Sequence, residues 1–145
     1  MKRSLLSVGF VAVVVMAWAL GRLQGQEGNG VLFVDSAKAN YSAMGGNSAV
    51  MTTPIWGDSS KGAHATFTKF KPGYDAGWHT HTNDTWLVVI KGAYLYKDEN
   101  GEKRVAAGDF IRVPGGHKHW SGGDKTQGAL FYEEGADKFD FNPVK

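Results

Sequence analysis

The chain has 145 residues, room for one domain, with no cysteine and a formal net charge of +2. The lack of cysteine excludes disulfides, thiolate metal sites and cysteine nucleophiles. The positive charge resides in Met1–Gly25, which carries Lys2, Arg3 and Arg22 and no acid; without it, 13 basic residues face 14 acidic ones, so no basic surplus remains to bind nucleic acid.

Lys2 and Arg3 precede an apolar run, Leu5–Leu20, broken only by Ser7 and Gly9. Such a run spans roughly 24 Å as a helix, short of the roughly 30 Å hydrocarbon layer. With the small residues Ala17, Ala19 and Gly21 it predicts a secretory signal peptide over residues 1–25, cleaved after Gly21 or near Gly25; an uncleaved anchor is the alternative. Either places the domain outside the cytoplasm, secreted or periplasmic, with no further membrane contact expected. Residues 26–48 are expected to form a linker and a first strand at Val31–Val34, and residues 49–145 the domain proper. Ser36–Met44 has room for a turn or two of helix.

Beyond that point the text consists of short apolar or alternating runs: Val50–Trp56, Ala63–Lys71, Gly77–His81, Trp86–Lys91, Tyr94–Lys97, Lys103–Ala106, Phe110–Val113 and Ala129–Glu133. Gly, Pro, Asn and Asp punctuate them, a pattern that predicts an all-β sandwich or barrel. Asp98-Glu99-Asn100-Gly101 predicts a hairpin, with Asn-Gly supplying positive φ.

Four of the five histidines form two pairs, His79-Thr80-His81 and His117-Lys118-His119. In an extended strand, residues i and i+2 face the same side about 6.6 Å apart, so both imidazoles of a pair can approach one ion. A single such pair is equally compatible with two surface histidines. The glycine context adds to the signal: Gly73-x5-His79-x-His81-x3-Thr85-x6-Gly92 is followed, after 15 residues, by Gly108-x5-Pro114-x-Gly116-x2-His119. This resembles the cupin superfamily, whose motifs read G-x5-H-x-H-x3-4-E-x6-G and G-x5-P-x-G-x2-H-x3-N; eight of the ten positions match. Ile55-Trp56-Gly57-Asp58, Val88–Gly92 and Lys138–Phe141 extend the likeness to a family of small bacterial cupins known as a domain of unknown function.

The resemblance implies an antiparallel cupin barrel (a double-stranded β-helix, or jelly roll) holding one divalent transition metal, such as Fe, Mn, Zn, Ni or Cu, on His79, His81 and His119. The family's glutamate ligand falls on Thr85 and its asparagine on Gly123, so the expected shell is three neutral imidazoles plus water. His117 is a candidate fourth ligand or acid–base group sharing a strand face with His119. Asp84 is the nearest carboxylate to stand in for the glutamate. His64 is a candidate barrel-lining residue, and Trp56, Trp78, Trp86 and Trp120 are expected to be core more than substrate platforms. A centre of this kind polarises carbonyls, activates water or binds chelating molecules. The expectation is an oxidoreductase of dioxygenase type or a lyase acting on a small organic molecule, with a non-catalytic sensor or carrier as the alternative. Cupin-like barrels suggest a homodimer by exchange of an edge segment such as Val31–Val34. Because each ligand must be a neutral imidazole, metal occupancy is expected to fall below about pH 6.

Overall fold

The computed structural model describes residues 30–145, so the expected signal peptide lies outside the described residues. Among these residues there is no helix, and no segment is a helix long and apolar enough to cross a membrane. Val34–Lys145 folds as one unit, and every strand pairing in it is antiparallel.

The ten strands are β1 (Ser42–Met44), β2 (Asn47–Gly57), β3 (His64–Phe70), β4 (Asp75–Thr80), β5 (Thr85–Asp98), β6 (Gly101–Ala106), β7 (Phe110–Val113), β8 (His119–Gly123), β9 (Ala129–Gly135) and β10 (Asn142–Pro143). They form one curled sheet in the order β1-β2-β3-β9-β5-β8-β4-β10, with β6 and β7 also hydrogen-bonded to β5. β5 is the strand that both halves share. Its first part pairs with β9 and β7, and its second with β8 and β6.

The sequence predicts two strands where β5 runs unbroken, because Gly92 bends the strand instead of ending it. Gly92 has φ +73°, and a Cβ there would sit 2.2 Å from the Gly128 carbonyl oxygen. Only glycine permits that approach. The core forms on the inner faces of β5, β6, β7 and β9, from Leu87, Val89, Tyr94, Tyr96, Val105, Val113, Ala129 and Phe131, with Phe70 and Ile111 packed against it. Alternation along each strand turns these residues inward.

Several local expectations are corrected. Val31–Val34 forms no strand. Ser36–Met44 holds a single turn, closed by the Ala39 amide on the Asp35 carbonyl, and then enters β1. The strand expected to carry the second histidine pair is present as β8 but begins only at His119, and the two-residue β10 has no signature in the sequence. The hairpin at Asp98–Gly101 is present, but positive φ falls on Gly101 (+120°) and not on Asn100. The Asp98 carboxylate accepts the Asn100 amide at 2.8 Å and holds that turn.

Candidate metal centre

β4 and β8 are neighbours, and their register sets His79 directly opposite His119, and Trp78 opposite Trp120. Alternation therefore puts the imidazoles on the inner face and the indoles on the outer one. His81 follows β4 and joins the same cluster. The ring centroids lie 4.2 Å (His79–His119), 4.9 Å (His79–His81) and 5.3 Å (His81–His119) apart. One nitrogen from each ring falls within 4.8 Å of the others. The three residues are 2 %, 9 % and 0 % exposed for His79, His81 and His119.

Backbone carbonyls fix which nitrogen is free. The Nδ1 of His79 donates to Gly77 at 2.8 Å, that of His81 to Asp140 at 2.5 Å, and that of His119 to His117 at 3.0 Å. Each Nε2 is thereby left as an acceptor, the arrangement in which an outer hydrogen bond sets ring tautomer and orientation for a metal. His119 Nε2 is fully buried and has no hydrogen-bond partner, alone among the described buried side-chain atoms. A buried polar atom without a partner is costly, and three converging imidazole lone pairs supply what a divalent ion needs. The residues fit the metal. Burial holds all three histidines below the usual imidazole range, His79 at about 4, and so keeps them in the neutral form that binds.

Aromatic rings pack around the cluster. Phe141 stacks on His79 at 4.3 Å, Phe139 lies 4.9 Å from His81, and Tyr96 is parallel to His119 at 5.6 Å. Phe139 and Phe141 belong to the C-terminal segment, which crosses the site and pairs with β4 through β10. Asp140 anchors it: its carboxylate accepts the Thr82 amide at 2.8 Å and also the Thr82 hydroxyl. Gly116 of the second motif donates its amide to the His81 carbonyl at 2.7 Å, tying the two motifs together.

The remaining candidates stand elsewhere. His117 precedes β8 instead of lying on a strand face shared with His119, because Gly115-Gly116 turn the chain there. Its ring donates to Asp98 at 3.1 Å, and Asp98 also accepts the Tyr96 hydroxyl at 3.0 Å. His117 thus supports Tyr96 behind His119 and does not line the central cavity. Asp84 is held away from the cavity by Arg112 at 2.6 Å and the Gly115 amide at 2.8 Å. These donors keep its carboxyl below the ordinary aspartate range, the backbone amide first and Arg112 next. His64 is buried at the start of β3, where its Nδ1 donates to the Gly62 carbonyl at 2.9 Å, and it too is absent from the cavity wall. Thr85, at the glutamate position, is buried and lines the cavity. Trp78 and Trp120 are half-buried on the outer face, where Trp120 donates to Asp75 at 2.6 Å.

A cavity of about 470 Å³ of free space, mouth included, adjoins the histidines and is bounded by Phe70, Leu87, Tyr94, Phe131, Phe139 and Phe141 among others. Glu133 projects into its wall from β9, and sequence reasoning missed it. The signal was the alternation of β9, in which Ala129, Phe131 and Glu133 share the buried face.

A curled antiparallel sheet with two histidines leaving one strand and a third facing them from its neighbour is the arrangement of a cupin-like protein. The chain belongs to the family described as Domain of unknown function (DUF4437), whose model matches residues 30–145. Solved structures of similar fold include a cupin-like protein of unknown function from Ralstonia eutropha (TM-score 0.62, 20 % identity, covering 81 % of this chain and 80 % of that one). They also include the polyketide cyclase RemF from Streptomyces resistomycificus (0.65, 16 %, 78 % and 84 %) and KdgF from Halomonas sp. (0.58, 16 %, 73 % and 94 %). At these identities the likeness is one of fold. No curated protein sequence matches the chain.

Proposed function

We propose that this protein is a metal-binding cupin that uses His79, His81 and His119 to hold one divalent transition ion and acts on a small organic molecule in the adjoining cavity. The buried, unpartnered His119 Nε2 carries this reading. When bound, the ion supplies Lewis-acid or redox chemistry, consistent with an oxidoreductase of dioxygenase type or a lyase. The protein's own contribution is to fix the tautomers, exclude water with Phe139 and Phe141, and shape an apolar chamber. Fold neighbours named as a polyketide cyclase and as KdgF are compatible with catalysis on such molecules. Secretion to the periplasm or medium is part of the proposal, motivated by the charged and apolar leader.

The test is elemental analysis of protein purified without chelators, wild type beside His79→Ala, His81→Ala and His119→Ala. About one transition ion per wild-type chain and little in the variants is the expected result. No ion in wild type after reconstitution refutes the proposal. Oxygen uptake and product analysis against diketones, phenols and hydroxy acids then separate an enzyme from a sensor or carrier that only binds.

A further inference from the structure

Glu133 is 8 % exposed and lines the same cavity as His79 and His81, yet its oxygens are not among the converging ligand atoms. The strands on either side place Thr66 and Leu87 opposite it. Among the described residues, no lysine or arginine lines this cavity; the other titratable groups there are His79, His81, Tyr74 and Tyr94. No cation among the described residues pairs with the carboxyl. A buried carboxylate in these surroundings costs free energy as a structural element. It is well placed to take a proton from whatever fills the space between it and the histidines.

We propose that Glu133 is the proton acceptor for a compact hydroxy compound with an apolar body (a phenol, catechol or enol) bound at the three-histidine centre. The assignment rests on the metal-centre reading above. The aromatic walls of Phe70, Phe131, Phe139 and Phe141 suit an apolar ring or chain. A ligand that arrives already ionised as a carboxylate offers Glu133 no proton, and apart from the metal centre no cation among the described cavity residues offsets the Glu133 charge. A neutral hydroxyl compound supplies that proton and adds no charge. In the transfer the ligand O–H bond breaks, the proton passes to a Glu133 carboxylate oxygen, and the electron pair stays on the ligand oxygen as an oxyanion facing the centre. The net charge of the assembly is unchanged. Burial pushes the Glu133 carboxyl up to about 7, the range in which a group exchanges protons readily near neutrality.

Zn(II) is redox-silent, and catechol is neutral at pH 8 and reports its own ionisation by ultraviolet difference absorption, so the pair isolates proton transfer from turnover. Calorimetry of catechol binding to Zn(II)-loaded protein at pH 8, in buffers of different ionisation enthalpy, counts the protons released. Wild type is expected to release about one proton fewer per ligand than Glu133→Gln, and the variant to bind about tenfold more weakly. Glu133→Asp is expected to restore part of the difference. Equal proton counts in zinc-loaded wild type and Glu133→Gln overturn the role of Glu133 alone. Wild type releasing every proton that the bound probe has lost overturns it without any variant, should Glu133→Gln fail to fold. Zinc-loaded protein that ignores catechol overturns the ligand class. Failure of wild type to take up zinc overturns the metal-centre reading and this assignment with it.

Discussion

The three histidines differ from ordinary buried imidazoles in how completely their outer nitrogens are committed. Gly77, Asp140 and His117 each accept an Nδ1 proton through a main-chain carbonyl, so no side-chain substitution at those positions removes the acceptor itself. Replacing any one of the rings by alanine is therefore expected to weaken metal binding by at least about 100-fold, measured by competition with a chromophoric chelator. Asp84→Asn is expected to leave affinity unchanged, since its partners are Arg112 and Gly115. Glu133 behaves in the opposite sense. Its folded-state pKa, about 7, lies above the ordinary glutamate value of 4.5, so unfolding sheds a proton between those limits. Stability is lost as pH rises through that window, by about 3 kcal/mol in total. Metal-free Glu133→Gln is thus expected to exceed wild type in stability above pH 7 and to lose the advantage below pH 5, as read by urea denaturation.

Among the elements, β5 and the C-terminal segment position the site most directly. β5 carries Thr85 into the cavity wall at one end and Tyr96 under His119 at the other, and the bend at Gly92 makes both possible on one strand. Gly92→Ala drives a methyl into the Gly128 carbonyl and forces a left-handed backbone on a residue with a Cβ. A cost of about 2–4 kcal/mol in unfolding free energy is expected. The C-terminal segment caps two rings. Phe141 is 41 % exposed, so Phe141→Ala should cost only about 1 kcal/mol, well below a fully buried phenylalanine, while chelator stripping of the metal accelerates. Unchanged stripping kinetics would deny this segment any part in guarding the centre.

For the molecule as a whole, the histidine and glutamate titrations oppose one another. The histidines have lowered folded pKa values, so the unfolded chain takes up protons first as pH falls from about 6.5, and stability drops towards pH 4. Glu133 removes stability on the alkaline side of that range. Metal-free protein is expected to be most stable near pH 6.5, with a flatter acid limb once the histidines are replaced; a thermal-melt series across pH 4–9 checks it. The same depression moves metal loss below the pH 6 expected from unperturbed imidazole, towards about 4 for His79. Much of this architecture was legible in the sequence. The glycine and proline punctuation marked most strand boundaries, and His-x-His spacing indicated the inner face of β4. What escaped had no local signature. Whether Asp84 or Glu133 faces the cavity depends on which strands flank each carboxylate. The C-terminal cover depends on contacts such as Asp140 with Thr82, formed between distant parts of the chain.

Threonine at position 85 leaves the centre with uncharged nitrogen donors only. Nitrogen sets of this sort grade divalent ions along the Irving–Williams series, with copper and then zinc or nickel above iron and manganese. Nothing in the three rings reverses that ranking, so the occupant of any given preparation will be dictated by which ions its surroundings provide. Cultures supplemented with different metals should accordingly yield the same folded chain carrying different cargo, and competition on apo-protein should rank copper first.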